Sequence, residues 1–267
     1  MSFKDELDQY YTNEEYAKYC YEKAQNFISG YYYMEPCVGT GSFYKLFSKD
    51  RRYGYDIDPV YRDRNVIHRD FLKILGRKTG KSTVVMSNPP FGKNATLAIR
   101  FFNKCASISD VNYICFIVPK TFRKVATQNK LHENFHLVLD EDSPIEAFIL
   151  HGEPHHVPCV FQIWERRDNT RLKHEIKNTS EYFEFTINEK ANIYIKRVGT
   201  KAGEMVQPGY EHKDPSMYFL YTPHYEVLNQ VLNSEEYLNE ICEIRVNTSG
   251  VYCVSKSEIV LNIEKRL

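Results

Sequence analysis

No apolar stretch in this chain of 267 residues approaches the ~20 residues that a membrane-crossing helix needs. The opening residues, Met1-Ser2-Phe3-Lys4-Asp5-Glu6, are charged and lack a signal peptide's apolar core, so a soluble, cytoplasmic protein is expected. Cysteine is present but unpatterned: seven residues, at positions 20, 37, 105, 115, 159, 242 and 253, form no Cys-x-x-Cys pair, and no histidine spacing completes a zinc site. They are expected to be reduced and buried, and no metal is expected; the adjacent His155-His156 does not change that. Net charge is missing too. Thirty-five basic residues balance thirty-five acidic ones, so the chain is not a polycation that coats nucleic acid unselectively. Any such affinity must come from local patches: Arg62, Arg64 and Arg69; Lys120 to Lys130 with Arg123 and Lys124; or Arg166, Arg167, Arg171 and Lys173. Each also reads as an ordinary solvated face. Finally, the three-glycine dinucleotide fingerprint and the Gly-Lys-Ser/Thr ending of a phosphate loop are both lacking, which disfavours a nicotinamide cofactor or a nucleoside triphosphate.

What is present is an alternation of strand-like and helical runs. Thr12-Asn13-Glu14-Glu15 has the form of a capping box, and Tyr16, Tyr19, Cys20, Lys23, Ala24 and Phe27 recur at helical spacing, predicting a helix from about Asn13 to Ile28. Tyr31–Met34, Tyr53–Ile57, Val66–Phe71, Thr83–Met86 and Tyr113–Val118 read as strands, with a helix beyond Gly41 and another over Thr96–Ser107. Strands alternating with helices predict an α/β fold, a Rossmann-like, mainly parallel sheet. His136–Leu139, Ala147–Leu150 and Val160–Glu165 are strand-like without helices between them and suit antiparallel edge strands. Around Arg166–Lys177 the chain turns polar and loses its periodicity, which puts a boundary between residues 1–167 and a small mixed extension, 168–267. In the extension, Tyr182–Ile187 and Asn192–Val198 read as a hairpin, His224–Leu232 as a helix, and Met217–Leu220 and Ile259–Ile263 as weaker strands.

Chemistry-bearing residues gather where the predicted strands end. Asn88-Pro89-Pro90-Phe91 follows Thr83–Met86; its prolines have fixed φ and no donors, so they end the strand and hold Asn88 extended. An amide oxygen and a neighbouring carbonyl can accept the two hydrogens of an aromatic amine, and Phe91 can stack on its ring. Glu35-Pro36-Cys37-Val38-Gly39-Thr40-Gly41 follows the first strand, where glycines admit a ligand close to the backbone. Glu35 there repels a pyrophosphate and welcomes an ammonium group. Asp56 ends the next strand, the usual place for a carboxylate that accepts ribose hydroxyls, and Asp70-Phe71 ends the third. Ammonium plus ribose describes S-adenosylmethionine. Each acid also has an ordinary reading, Glu35 as a helix N-terminal charge, Asp56 and Asp58 as turn formers, Asp70 as a cap.

This series resembles the class I S-adenosylmethionine-dependent amino-methyltransferases, above all the N6-adenine DNA methyltransferases of restriction-modification, over about residues 9 to 165. Asn88-Pro89-Pro90-Phe91 matches that family's catalytic motif, (Asp/Asn/Ser)-Pro-Pro-(Tyr/Phe/Trp), and is the most specific part. The resemblance implies the following. The turn Glu35–Phe43, with Glu35, Cys37, Gly39 and Gly41, would hold the cofactor. Asp56 with Ile57 would bind its ribose, and Asp70 with Phe71 its adenine. Gln9-Tyr10-Tyr11-Thr12 would pack near its methionine end. Asn88 would touch both cofactor and target. The turn has Pro36-Cys37 where the fuller family form often has a glycine. The motif order resembles the γ arrangement, with residues 1–167 catalytic and 168–267 a possible target-recognition region.

The activity implied is methyl transfer to N6 of adenine in DNA, leaving S-adenosylhomocysteine, with the base flipped out of the duplex. Phe91, Lys120, Arg123, Lys196 and Arg197 are candidate substrate contacts. The same motif and chemistry also suit adenine in RNA; the further alternatives are a protein glutamine methyltransferase, whose motif typically ends in Tyr where this chain has Phe91, and a catalytically silent nucleic-acid-binding subunit, against which the intact glycine turn, Asp56 and catalytic motif argue.

Overall fold

A computed structural model describes residues 11–75, 80–150, 152–206 and 215–267; Gln9 and Tyr10 of the expected cofactor segment lie outside them. The chain divides into two compact units, one running to Phe122 and resuming over Ala126–Lys173, the other made of Arg123–Val125 and His174–Leu267.

The first unit opens with β1 (Tyr11–Thr12) and helix α1 (Glu14–Gln25). Thr12 belongs to the strand, and Asn13 is the cap, accepting from the Glu15 amide at 2.8 Å. Glu14 and Glu15 occupy the first turn and Lys23 the last, complementing the helix dipole, while Tyr16, Ala17, Cys20 and Ala24 form the buried stripe. There follow β2 (Tyr32–Glu35), β3 (Arg52–Asp56), β4 (Val66–His68), β5 (Thr83–Ser87), α2 (Thr96–Ala106), β6 (Val111–Pro119), the short α3 (Val125–Gln128), β7 (Phe135–Asp142), β8 (Phe148–Leu150), β9 (Glu153–His155) and β10 (Cys159–Arg166).

Seven of these strands form one sheet in the order β4-β3-β2-β5-β6-β10-β7. The pairs from β4 to β6 are all parallel, and β10 alone runs against its neighbours β6 and β7. The expected α/β class is therefore observed, mainly parallel with an antiparallel edge. β5 is buried along its whole length, as a central strand covered on both faces must be, which explains why its sequence is an unbroken apolar run. β8 does not join this sheet; it pairs with β1 and β9 in a separate three-stranded sheet, and thereby fixes the segment before α1.

The connections are less helical than the alternation predicts. Among the described residues, only α2 spans a parallel crossover as a helix of normal length. Beyond Gly41 there is a single 3-10 turn, Tyr44–Leu46, because Phe43, Tyr44 and Phe47 are all buried: an apolar stretch this dense fills the space under the sheet instead of presenting one polar helix face. The β4–β5 connection likewise holds only the turn Phe71–Lys73 among its described residues.

The second unit contains β11 (Glu184–Phe185), β12 (Ile193–Lys196), β13 (Met217–Tyr221), α4 (Tyr225–Leu232), α5 (Glu235–Arg245) and α6 (Lys256–Glu264) around its own apolar cluster. Two expectations are corrected here. β11 and β12 are not a hairpin, since both pair with β13, which lies between them. Ile259–Ile263 is not a strand but the middle of α6, started by a Ser255–Glu258 capping box; short apolar runs have no period that separates strand from helix. α5 has no counterpart in the sequence reading, because Tyr237 and Ile241 are its only buried residues.

Candidate active site

At the carboxyl ends of β2, β3 and β5 a cleft of about 770 Å³, counting its open mouth, lies among Glu35, Cys37, Gly39, Asp56, Asn88 and Pro90. That is the end at which open α/β sheets bind ligands. Tyr11, Thr12 and Ile57 also line it. Nine expected positions, drawn from four separate stretches of sequence, thus meet in one place.

The two turns that build the floor are tied together. The Gly39 amide donates to Asp56 Oδ2 at 2.7 Å, and the Asp58 amide to Asp56 Oδ1 at 2.8 Å. Gly39 has φ +53° and Gly41 φ +81°, both left-handed. Gly41 does not line the cleft: a Cβ there would stand 2.8 Å from the Tyr61 ring, so its role is to let that ring pack. The Tyr61 amide in turn donates to Gly39 O at 2.9 Å. Ser42 Oγ donates to Thr12 O at 2.8 Å, linking β1 to the turn.

Glu35 is 2% exposed and its Oε2 has no hydrogen-bond partner. Burial pushes its carboxyl well above the ordinary range, and the Asp56 charge pushes further, against one backbone amide, from Tyr44, that favours ionisation. An orphaned buried carboxyl oxygen on a residue that lines the cleft is what a cationic ligand would satisfy. Burial also raises the Tyr11 phenol and the Cys37 thiol, the first with help from Asp56 and Asp58. Cys37 Sγ stands 3.0 Å from Ser87 Oγ and 3.5 Å from Asn88 O, joining the glycine turn to the end of β5.

Pro89 is buried and Pro90 half-buried. Phe91 is 8% exposed and meets Phe148 edge-on at 6.4 Å, in the core and not on the cleft. The chain then turns through Gly92 (φ +65°), Asn94 (φ +54°) and Ala95 (φ +58°) before α2. Two successive non-glycine residues in the left-handed region cost about 1 kcal/mol or more each, strain stored directly behind the Asn-Pro-Pro-Phe segment.

Other expected residues lie elsewhere. Asp70 caps the turn at Phe71, accepting from the Leu72 amide at 3.0 Å, and pairs with Lys73 at 3.4 Å; Phe71 stacks on Phe101 at 5.7 Å inside the core. Lys120 pairs with Asp142 at 2.7 Å. Arg123, Lys196 and Arg197 belong to the second unit, where Lys196 ends β12 and Arg197 donates to Pro215 O at 3.2 Å. Thr40 and Ser42 are cleft residues that the sequence reading did not single out, although they sit inside the glycine turn it identified, and Asp58, read there only as a turn former, lines the cleft as well.

The strand order and the cleft together define a Rossmann-like α/β domain of the type found in class I methyltransferases. No family model matches the chain. It is similar to the type II methyltransferase M.VspI of Vibrio sp. (strain 343), 25% identical over 170 residues that cover 49% of this chain and 42% of that protein; the similarity therefore spans less than half of that relative's length. Among solved structures it is similar to a "putative RNA methyltransferase" from Pyrococcus horikoshii, at 16% identity and a TM-score of 0.48, covering 62% of this chain and 90% of the other. The 23S rRNA methyltransferase ErmE gives 14% identity and a TM-score of 0.43, covering 61% and 72%. At these TM-scores the fold assignment rests on the chain's own topology.

Proposed function

We propose that the protein is an S-adenosylmethionine-dependent methyltransferase that methylates N6 of adenine in DNA, with the base flipped into the cleft beside Asn88. The observation that carries this reading is the convergence of Glu35, Gly39, Asp56, Asn88 and Pro90 on one cleft. The similarity to a type II methyltransferase supports methyl transfer as the reaction.

The residues present fit the cofactor. Glu35 Oε2, buried and unpartnered, would take the methionine ammonium. Asp56 already accepts two amides, yet a carboxylate has about four acceptor sites, leaving capacity for ribose hydroxyls. When bound, S-adenosylmethionine supplies an electrophilic methyl group on its sulfonium sulfur. Asn88 Oδ1 and the Pro89 carbonyl would accept the two hydrogens of the adenine amine, turning its lone pair out of the ring plane and toward the methyl. Held so, the amine nitrogen would be aligned to accept that methyl as the sulfonium sulfur retains the bonding pair, and its displaced proton would leave to solvent. Positioning and fixed dipoles do the work. Phe91 would clamp the base after turning away from Phe148.

The test is to incubate the purified protein with tritiated S-adenosylmethionine and, separately, plasmid DNA, ribosomal RNA and a protein extract. Label in DNA is expected. Label in RNA or protein alone would refute the DNA assignment.

A further inference from the structure

The three basic patches apparent in the sequence have different fates. Arg166 donates to the Val111, Ala106 and Ile108 carbonyls, and Arg171 to those of Phe135, Gln128 and Leu131. Arg167 pairs with Glu165, Lys124 with Glu258 and Lys120 with Asp142. These cations are spent on holding the chain together. Arg62, Arg64 and Arg69 are exposed, and among the described residues none of the three has a side-chain hydrogen bond or ion pair. Arg62 and Arg64 line an open groove of about 970 Å³ with Tyr61, Asp63 and His68, and this groove shares Asp58 with the cofactor cleft.

The loop that carries them is anchored at Asp63. Arg52, 3% exposed at its side chain, donates to Tyr44 O at 3.0 Å and Phe47 O at 3.3 Å and pairs with Asp63 at 2.8 Å. Asp63 also accepts the Asn65 amide at 3.0 Å, and that bond, with Arg52 and Arg64 behind it, holds its carboxyl below the ordinary range. The acid between the two arginines is thus neutralised from beneath, while their own guanidinium groups face solvent. Asp58 is the one other acid on the groove. His68 is fixed by its Nε2 contact with Ile57 O at 2.7 Å. With Asp63 paired to Arg52, Arg62 and Arg64 outweigh Asp58 by one charge on the groove, which favours an anion, and guanidinium forks match phosphate oxygens.

We propose that the groove at Arg62 and Arg64 grips backbone phosphates of the DNA duplex whose adenine enters the cleft. The inference rests on the function proposed above and adds a backbone-positioning site to it, on a loop tied to the glycine turn through the Tyr61 amide. Sequence-independent contacts of this kind release counterions, about 0.9 per phosphate on the salt slope.

The experiment uses the full chain, a fluorescein-labelled duplex and anisotropy titrations over a range of salt concentrations, on wild type, the double variant Arg62→Gln/Arg64→Gln, and Arg100→Gln, an exposed arginine of α2 outside the groove. The double variant is expected to flatten the slope of log K against log salt by about 1.8, to weaken all sequences alike, and to keep its melting temperature and S-adenosylhomocysteine affinity. Arg100→Gln should match wild type. A slope unchanged in the double variant overturns the proposal even where wild type methylates DNA. A wild type that methylates only RNA or protein overturns the DNA reading itself, and the groove's assignment with it.

Discussion

The Asp56 carboxylate holds the Gly39 amide at 2.7 Å, so the acid that ends β3 also shapes the glycine turn that follows β2. Its other oxygen holds the Asp58 amide, and one side chain thereby sets the backbone on two sides of the cleft. Asp56→Ala leaves two amides without their acceptor and is expected to destabilise the protein by about 1–3 kcal/mol while weakening cofactor binding at least tenfold. Asp56→Asn keeps one acceptor oxygen and should recover part of the stability. Urea unfolding and calorimetric titration with S-adenosylhomocysteine measure the two effects separately; equal stability of Asp56→Ala and wild type would refute the welding role.

Glu35 makes stability and binding pull in opposite directions. Its carboxyl is raised in the folded state by burial and by Asp56. A raised pKa means that the folded protein binds the proton more tightly than the unfolded chain, so this contribution is complete below the unfolded value, about 4.3, and is lost as pH rises through the folded value. Glu35→Gln should therefore stabilise the ligand-free protein at neutral pH. It should also weaken S-adenosylmethionine roughly ten- to a hundredfold, the worth of a charge-assisted hydrogen bond. Wild-type affinity should grow with pH as Glu35 ionises, until the ligand's own amine titrates near about pH 8, and the variant should lose the acid-side dependence. Melting curves and titrations at several pH values would show it; parallel pH profiles for the two proteins would contradict the assignment.

The two left-handed glycines are unequal. An alanine Cβ at Gly39 meets only the Tyr11 ring at 3.5 Å, an ordinary contact, whereas at Gly41 it meets Tyr61 at 2.8 Å. Gly39→Ala should cost about 1 kcal/mol, the backbone term alone. Gly41→Ala should cost clearly more, since Tyr61 must shift and its amide anchors the arginine-bearing loop. Tyr61→Ala should bring the Gly41→Ala penalty down toward the Gly39 value, a coupling that a double-mutant cycle reads directly.

Asn88 lines the cleft at the end of β5. Asn88→Ala is expected to lower the turnover rate by roughly 10²–10³, as removal of a fixed transition-state partner does, with cofactor affinity within a few-fold of wild type. A fully active variant would remove Asn88 from the chemistry.

Much of this protein is legible in its sequence because the signals are local. The apolar run at Thr83–Met86 is too short for a helix of normal length and rich in β-branched residues, which points to a buried strand, and Pro89-Pro90 must end it. The glycines at 39 and 41 require a turn, and the alternation of strands with α2 points to a parallel sheet. Where a single short run had to decide, as at Ile259–Ile263 or in the pairing of β11 and β12, local pattern had no means of choosing, since strand partners are fixed by contacts distant in sequence.

The functional consequence follows the same division. Residue type alone nominates Glu35, Asp56 and Asn88, because their chemistry is carried by their own atoms. Only the tertiary structure decides that these three share a cleft while Phe71 and Phe91 pack in the core, and that Gly41 serves the Tyr61 ring instead of a ligand. The arginines show it most plainly. Arg62 and Arg166 are the same residue in similar basic stretches; one lies open on a groove and the other feeds three backbone carbonyls. A charge is free to bind a partner only where folding has not already given it one, and that depends on which carbonyls and carboxylates the fold brings within reach.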